Sequence, residues 1–490
     1  MDEHDKVPLA VEGCPLSAQQ LGLWRLLQAE PGAPYRAQCA VLVTGDVDRA
    51  GLEQALHDVV ARHEILHTAF RRLPRMKVPL QVTTGRSVIW DETWAEELSI
   101  EAALLTPAAD RLLAAARSRP QDLEAGSPLR CALLPMPEGG YLLLCDLPAL
   151  CADHATIELL VDETAAAYAA QRGGLALAAQ PLQYADVCDW QAELLQAPEA
   201  EFWRREELAG TPALQLPLAT RLLGRTAFSP SVIAFPLPDA RIGGLAQGLG
   251  TTEAAVLLAV WQILLGALCG QEEFLLAVGD DGRSYDDLQR VAGPLAKLLP
   301  LPCYLKASLP FATLVQQVQA AMSLANERQE YFGATDTAGD ESGSRITVGF
   351  ELCSEAPYID VEGARFTFVG RYACSERFDL LLRCRSRGEE LTAEFVYDSG
   401  RVQRDQAVRW AGHFGCLLES ALVAPQAVIA DFDPLGAAGR HQLLDEWNDT
   451  RAAFPQEHCL HHLIEAQVER TPERIAVVGR IEQLSYRELN

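Results

Sequence analysis

The chain has 490 residues, of which 49% are hydrophobic and 22% charged, a composition typical of a soluble globular protein. A single ordinary core is excluded at this length, and two or three domains are expected. The formal net charge of −26 argues against a nucleic-acid partner, because binding to a phosphate backbone needs a basic stripe.

Location and metal content can also be predicted from composition. No apolar run approaches the ~18 residues that span a bilayer, so no membrane partner is expected. The first residues, MDEHDKVPLAVEG, are acidic and lack the apolar segment of a signal peptide, which favours a cytoplasmic protein. The 13 cysteines are scattered without a C-x-x-C pair. We therefore interpret them as buried small hydrophobic residues and expect no zinc site.

The first 190 residues alternate between helix and strand patterns. Helices are predicted in PLSAQQLGLWRLLQAEPGAP, where Ser17 is the N-cap, in DRAGLEQALHDVVARHE and in ATIELLVDETAAAYAAQ. AQCAVLVTG predicts a strand, and LRCALLPM and YLLLCDL predict a pair of buried strands. Asp146, at the end of the last of these, is interpreted as a solvated turn residue.

A second cycle of helices and strands begins near residue 228. TEAAVLLAVWQILLGALCG predicts a buried helix, and QRDQAVRWAGHFGCLLESAL predicts a final amphipathic helix. The segments FLLAVG, RITVGFEL, RFTFV, RFDLLLRCR and LTAEFVYDS predict strands. Because both halves mix strands and helices, we expect an α/β protein with two lobes.

The pattern of apolar residues changes after residue 432. Residues 433–456 have few long apolar runs and are predicted to be a linker. Residues 457–490 predict one helix, one strand and the start of a hairpin, and then the pattern stops. This favours a piece cut from a longer polypeptide.

Several motifs follow one another in an order that identifies a family. They are PLSAQQLGLW, ARHEILHTAF, YADVCDWQ, GDDGRS, VAGPLAKLLPLP, RFDLLLRC, FVYDSG and LLDEWNDT. Over almost the whole chain they resemble the condensation domain of nonribosomal peptide synthetases. ERTPERIAV and LSYRELN resemble the start of an adenylation domain.

The resemblance implies an α/β fold of two chloramphenicol-acetyltransferase-like lobes in a V-shaped pseudodimer with a central tunnel. We expect the N-terminal lobe at 1–190, the C-terminal lobe at 191–432, the linker at 433–456 and the adenylation fragment at 457–490. The implied partners are peptidyl carrier protein domains, the downstream adenylation domain and a tailoring oxygenase acting in trans. No tightly bound cofactor is implied, since the substrates arrive on the phosphopantetheine arms of the carrier proteins.

The family's active-site motif, HHxxxDG, is degenerate in this chain. Aligned on Asp153, the loop contains Pro148 and Ala149 where the family has its two histidines, and His154 where it has glycine. Peptide-bond formation is the attack of an amine on a thioester, and a side chain of pKa ~6.5 can take the amine's proton at neutral pH. Neither Pro148 nor Ala149 can do so.

Substitute catalytic groups are therefore sought nearby, and His154 and Cys151 are the candidates. Each also has a structural interpretation, as a helix-start histidine and a buried thiol. Asp153 is expected to cap the helix that begins at His154. The family pairs this Asp with an Arg at the position of His67, which predicts a weaker, pH-sensitive contact between Asp153 and His67.

The second half departs from the family pattern too, because Lys297 replaces an asparagine expected at the tunnel. Three hypotheses remain open. The first is a platform that no longer condenses and instead docks a carrier protein and a tailoring enzyme. The second is an active but rewired condensation domain that forms an amide or ester. The third is another reaction on the tethered chain, such as dehydration or cyclisation.

Overall fold

The computed structural model divides the chain into two compact units, Met1–Pro434 and Leu435–Asn490. Residues described are 13–30, 32, 34–91, 93–94, 105–126, 128–173, 179–200, 211–217, 227–332, 346–388, 390–453, 458–479 and 482–490. All but one residue of the stretch interpreted as lacking a signal peptide, MDEHDKVPLAVEG, therefore lies outside the described residues.

The first lobe of the larger unit is built on a six-stranded sheet with the strand order β11-β12-β1-β6-β5-β4. Its strands are β1 (Arg36–Gly45), β4 (Ile89–Trp90), β5 (Arg130–Pro135), β6 (Tyr141–Pro148), β11 (Tyr358–Val361) and β12 (Ala364–Ala373). A separate hairpin pairs β2 (Thr68–Arg71) with β3 (Leu80–Thr83). The predicted pairing of LRCALLPM with YLLLCDL is confirmed, because β5 and β6 are antiparallel neighbours.

Side chains of this sheet alternate between two cores, as the period of two in a strand requires. Val41 and Val43 face one core together with α2 (Arg49–Arg62) and α4 (His154–Gly173). Ala40, which precedes Val41 in the sequence, faces the other core. The helices α1 (Ala18–Ala29), α3 (Leu105–Arg117) and α5 (Tyr184–Leu195) complete the lobe. Ser17 caps α1 as predicted, since its side chain accepts a hydrogen bond from the Gln20 N–H.

The second lobe has a sheet with the order β7-β14-β13-β10-β8-β9. Its strands are β7 (Pro230–Pro236), β8 (Glu273–Asp280), β9 (Lys297–Tyr304), β10 (Val348–Ser354), β13 (Leu380–Arg387) and β14 (Glu390–Asp398). Its helices are α6 (Asp239–Leu249), α7 (Glu253–Cys269), α8 (Phe311–Glu327) and α9 (Arg404–Val423). The buried helix predicted in TEAAVLLAVWQILLGALCG is confirmed as α7, which is buried from Ala254 to Leu265.

The second half of the chain supplies two strands to the first sheet. β11 and β12 belong by sequence to the second half, but β12 pairs with β1 over nine register positions in the first sheet. The two sheets therefore do not coincide with the two parts of the sequence on either side of residue 191. The α/β fold with two lobes predicted from the sequence is confirmed.

The smaller unit contains α10 (Gly436–His441), α11 (Leu460–Arg470), β15 (Ile475–Val478), β16 (Gln483–Ser485) and α12 (Tyr486–Leu489). Across the described ranges, no single helix combines the length and apolar character needed to cross a membrane. α6 and α7 reach that standard only when taken together, and the chain bends by 99° between them.

Candidate functional site

A cavity of about 390 Å³ lies between the two lobes. In the second lobe, β8 and β10 border the cavity, and they pair with each other at two positions, Gly349 with Ala277 and Phe350 with Val278. The first lobe contributes the start of α4 and part of β12 to the wall. The acidic, basic and histidine side chains along the wall are Asp153, His154, Glu158, Asp280, Asp281, Lys297, Glu351, Glu376, Arg371, Arg377, Arg383 and Arg385.

The loop that carries the family's histidine positions turns away from this cavity. β6 ends at Pro148, and a tight turn follows in which the Cys151 N–H donates to the Pro148 carbonyl over 2.9 Å. Ala149 is 1% exposed and packs in the core of the first lobe. Neither Pro148 nor Ala149 is among the residues that line the cavity.

Cys151 lies in the same core and is fully buried. Burial raises the pKa of its thiol far above the ordinary value. A buried thiol of raised pKa keeps its proton at neutral pH, which disfavours the nucleophilic role that the sequence suggested for Cys151. Of the 13 cysteines, eight are buried, four partly exposed and one, Cys459, exposed. Within the described ranges, no group of three or more His, Cys, Asp or Glu side chains could hold a metal ion.

Asp146 is also placed differently from the prediction. It is 1% exposed, since β6 runs between β1 and β5, and it is not a solvated turn residue. Its carboxylate accepts hydrogen bonds from Gln38 Nε2 at 2.8 Å and Arg36 Nη1 at 3.2 Å. Burial raises the pKa of Asp146 against the opposing effect of Arg36. The prediction failed because the strand extends two residues beyond it.

Asp153 is the centre of a buried network that joins the lobes. Its Oδ1 accepts from the Thr156 N–H at 2.8 Å, which confirms the predicted helix cap. Arg283 donates two hydrogen bonds to this carboxylate, from Nη1 to Oδ2 at 2.9 Å and from Nη2 to Oδ1 at 3.1 Å. The N–H groups of Leu295 and Ala296 both donate to Oδ2 at 2.9 Å. Burial opposes ionisation, but Arg283 and these donors outweigh it and lower the pKa of Asp153.

The predicted contact between Asp153 and His67 is wrong, because Arg283 occupies the carboxylate instead. Arg283 comes from the GDDGRS motif after β8 and is itself 4% exposed. His67 is buried, and its Nδ1 has no hydrogen-bond partner within the described ranges. Burial lowers the pKa of His67, which leaves the ring neutral at pH 7.

His154 begins α4 and projects into the cavity, where its side chain remains 25% exposed. Its Nε2 lies 3.0 Å from Oε1 of Glu355, a residue that follows β10 in the second lobe. Burial lowers the pKa of His154 to about 4, against the opposing effect of Glu355. The imidazole is therefore neutral at pH 7, and its Nε2–H donates to the carboxylate.

Glu355 keeps its charge because three arginines surround it. Arg371 Nη1 donates to Oε2 over 2.6 Å, Arg387 Nε over 2.8 Å, and Arg385 pairs with Oε1. Burial opposes ionisation of Glu355, but these cations outweigh it and lower its pKa to about 2. Arg371 also reaches Glu158 on α4 at 3.1 Å. Beside the neutral ring of His154, Glu355 and Glu158 form a network of ion pairs with these arginines that spans both lobes.

Lys297 lines the cavity from the start of β9. Its Nζ lies 2.6 Å from Oε2 of Glu330, and both side chains are less than 10% exposed. Gln191 of α5 donates to the same oxygen at 3.2 Å. Burial lowers the pKa of Lys297, while Glu330 opposes that shift. The ammonium therefore pairs with a carboxylate of its own lobe, and that carboxylate is linked to the first lobe through Gln191.

Two residues of the site, Arg283 and Glu355, were not predicted from the sequence. Arg283 lies in a motif that marked the family, but 130 residues separate it from its partner Asp153. Glu355 stands in ELCSEAP, where nothing in the local pattern signals a buried carboxylate. Only the fold brings His154 and Glu355 together across 201 positions.

Comparison with known proteins identifies a matching family model and several relatives by sequence. A family model described as "Condensation domain" matches residues 11–444. Bacitracin synthase 3 of Bacillus licheniformis is 26% identical over 503 residues, which cover 97% of this chain and 8% of that protein. Tyrocidine synthase 3 of Brevibacillus parabrevis is 27% identical over 508 residues, covering 98% of this chain and 7% of that protein. The chain thus spans less than a tenth of the length of these two relatives.

Solved structures share the fold. The condensation domain of a monacolin K polyketide synthase matches with a TM-score of 0.71 and 20% identity, over 86% of this chain and 99% of that one. The X-domain from teicoplanin biosynthesis, solved in complex with OxyB, matches with a TM-score of 0.69 and 24% identity, over 86% and 96%.

Proposed function

Because this chain belongs to the condensation domain family, we propose that it is a member that no longer forms amide bonds. It acts instead as a platform within a nonribosomal peptide synthetase. It docks a carrier protein whose phosphopantetheine arm holds an aminoacyl thioester, and it presents that substrate to a tailoring oxygenase acting in trans. The observation that carries the proposal is that His154, the one imidazole on the described cavity wall, is neutral and bound to Glu355.

The chemistry explains why this observation matters. An amine that attacks a thioester must lose a proton, and general-base catalysis supplies roughly 10²–10⁴ in rate when the pKa of the base lies near the operating pH. A histidine with a pKa of about 4 is a weak base at neutral pH. Protonating it would also add a further positive group beside Arg371 and Arg385, which already surround Glu355.

The platform role is supported by two further points. Asp153 and Arg283 hold the lobes together with full hydrogen bonding, so the scaffold does not depend on the missing histidines. The X-domain from teicoplanin biosynthesis, which shares the fold, was solved in complex with a second protein, OxyB. A comparable enzyme partner for this chain is our proposal by analogy.

We assign residues 457–490 to the start of an adenylation domain. The unit Leu435–Asn490 exposes large apolar side chains, including Trp447 at 65%, Leu460 at 76% and Val478 at 71%. Exposed apolar surface of this kind is usual where a further folded part covers it. The cytoplasmic location stays a prediction from the sequence.

One observation favours a second candidate function. His154 lies in the cavity, and holding amine and thioester together is itself worth effective molarities of up to ~10⁵–10⁸ M. An active, atypical condensation domain that forms an amide or ester therefore remains the alternative. It requires Nδ1 of His154 to accept the proton of the amine.

A transfer assay separates the two functions. The chain is mixed with donor and acceptor carrier proteins of its synthetase, each charged with its own amino acid, and intact-protein mass spectrometry follows the acyl groups. We expect the carriers to bind without transfer above the rate without enzyme. A condensation domain that retains HHxxxDG is the positive control. Transfer that disappears in His154→Ala would establish the alternative.

A further inference from the structure

The loop between β2 and β3 concentrates positive charge in a strongly acidic chain. From residue 65 to residue 90 the sequence contains no Asp or Glu, while the whole chain has a net charge of −26. The basic residues of this segment are Arg71, Arg72, Arg75, Lys77 and Arg86. All are exposed, and none has an ion-pair partner among the described residues. We call residues 71–86 the basic hairpin.

The tip of the basic hairpin carries its charge on a strained backbone. Arg75 has a φ of 75°, the one positive value at a non-glycine position in the described ranges. It follows Pro74 in a turn that the Met76 N–H closes on the Leu73 carbonyl at 3.0 Å. Glycine or asparagine is the relaxed choice at this position of such a turn. A residue kept in an unfavourable conformation points to a function for its side chain.

The composition of the tip fits a protein partner. Met76 is 41% exposed between Arg75 and Lys77, and arginine and methionine are enriched at protein interfaces. An extended polyanion, such as a nucleic acid or an anionic membrane, would also meet the acidic remainder of the chain and be repelled. A folded protein with an acidic patch can contact the basic hairpin alone.

We propose that the basic hairpin is the docking surface for a separately encoded acidic protein. This rests on the proposed function, and the partner is the enzyme that acts in trans on the carrier-bound substrate. A carrier protein on the same polypeptide is presented at millimolar effective concentration and needs no long-range attraction. A free partner must arrive by diffusion, and opposite charge increases its association rate.

The test measures association of the full chain with each purified oxygenase encoded beside the synthetase, by biolayer interferometry. The variant Arg72→Gln/Arg75→Gln/Lys77→Gln removes three charges from the hairpin. We expect its association rate to fall about 10-fold at low salt, and the wild-type rate to fall steeply as salt is raised.

A control removes the same charge elsewhere. Arg25, Arg404 and Arg409 are exposed on α1 and α9, so the variant Arg25→Gln/Arg404→Gln/Arg409→Gln has the same net charge as the hairpin variant. We expect it to change the association rate less than twofold. A loss of similar size in both variants would assign the effect to net charge and overturn the docking surface.

Arg75→Gly separates binding from folding. Glycine relaxes the turn, so the Tm should not decrease, yet removal of the guanidinium should slow association. Arg75→Lys should keep most of the association rate. If Arg75→Gly binds as fast as wild type, the strained arginine has no docking role.

The remaining outcomes distinguish the two proposals. An oxygenase that binds wild type and the hairpin variant equally overturns the docking surface and leaves the platform intact. The absence of binding to every neighbouring oxygenase overturns both. Hairpin-dependent binding of a carrier protein, of a DNA duplex or of phosphatidylserine vesicles, without such binding of an oxygenase, would also overturn the proposed partner.

Discussion

Asp153 and His154 are adjacent in sequence but belong to two different regions, the contact between the lobes and the wall of the cavity. Asp153 is buried, ionised and surrounded by donors from Arg283, Leu295 and Ala296, which fasten one lobe to the other. His154 projects into the cavity as a neutral ring bound to Glu355. The contacts that hold the lobes are complete, whereas the loop positions that would move a proton contain Pro148 and Ala149. The contacts between the lobes therefore form without histidines at positions 148 and 149.

The largest expected effect is a loss of stability when the ion pair between Asp153 and Arg283 is removed. Arg283→Ala leaves the buried carboxylate of Asp153 without its cation, and breaking one side of a buried pair costs about 3–5 kcal/mol. Urea denaturation should show this loss of unfolding free energy. The matched control is Arg241→Ala, whose pair with Glu419 is about half exposed and worth about 0–1 kcal/mol. Similar small losses in both would mean that Asp153 does not fasten the lobes.

The next largest effect is a loss of stability when a histidine is restored at position 149, one of the two positions where the family has histidine. Ala149→His forces a ring into a site that is 1% exposed, and overpacking of this kind costs about 1–3 kcal/mol. Stability should fall in thermal unfolding, without any gain of acyl transfer. Ala155→His, on the partly exposed cavity wall, is the control and should be tolerated. A stable Ala149→His variant that condenses would show that the loop still aims at the cavity.

The smallest effect is a pH dependence from His154. Its pKa is about 4 in the folded chain and ~6.5 when unfolded, so protons favour the unfolded state. Its contribution to stability is complete above pH ~6.5 and is lost as pH falls toward 4. Between pH 7 and 5, wild type should lose about 1–2 kcal/mol more than His154→Gln, after allowance for its partial exposure. Equal losses in both proteins would mean that the ring is not held neutral.

The sequence predicted elements better than contacts. The apolar runs in YLLLCDL and in α7 were enough to place β6 and α7, because a continuous apolar run indicates an element that is buried on all sides. Such a run does not indicate which sheet a strand joins. The segment RFTFV is a strand as predicted, but as β12 it pairs with β1 in the other lobe.

The sequence did not predict which residues form the long-range ion pairs and hydrogen bonds of the site. The carboxylate of Asp153 was assigned a partner through the family motif at His67, and it binds Arg283 instead. No local pattern links residues 130 or 201 positions apart, as for Asp153 with Arg283 and His154 with Glu355. The predicted candidates Cys151 and His154 could be separated only once burial was known, since one thiol lies in the core and one ring in the cavity.

We expect the imidazole of His154 to be neutral at pH 7 and to take up no proton from an attacking amine. The most direct test is an NMR titration of the chain with ¹⁵N-labelled histidine, in which His154→Gln assigns the resonance. We predict a pKa near 4 and a neutral ring that carries its proton on Nε2. A pKa of about 6.5 or higher, with Nδ1 taking up the proton near neutral pH, would contradict this expectation.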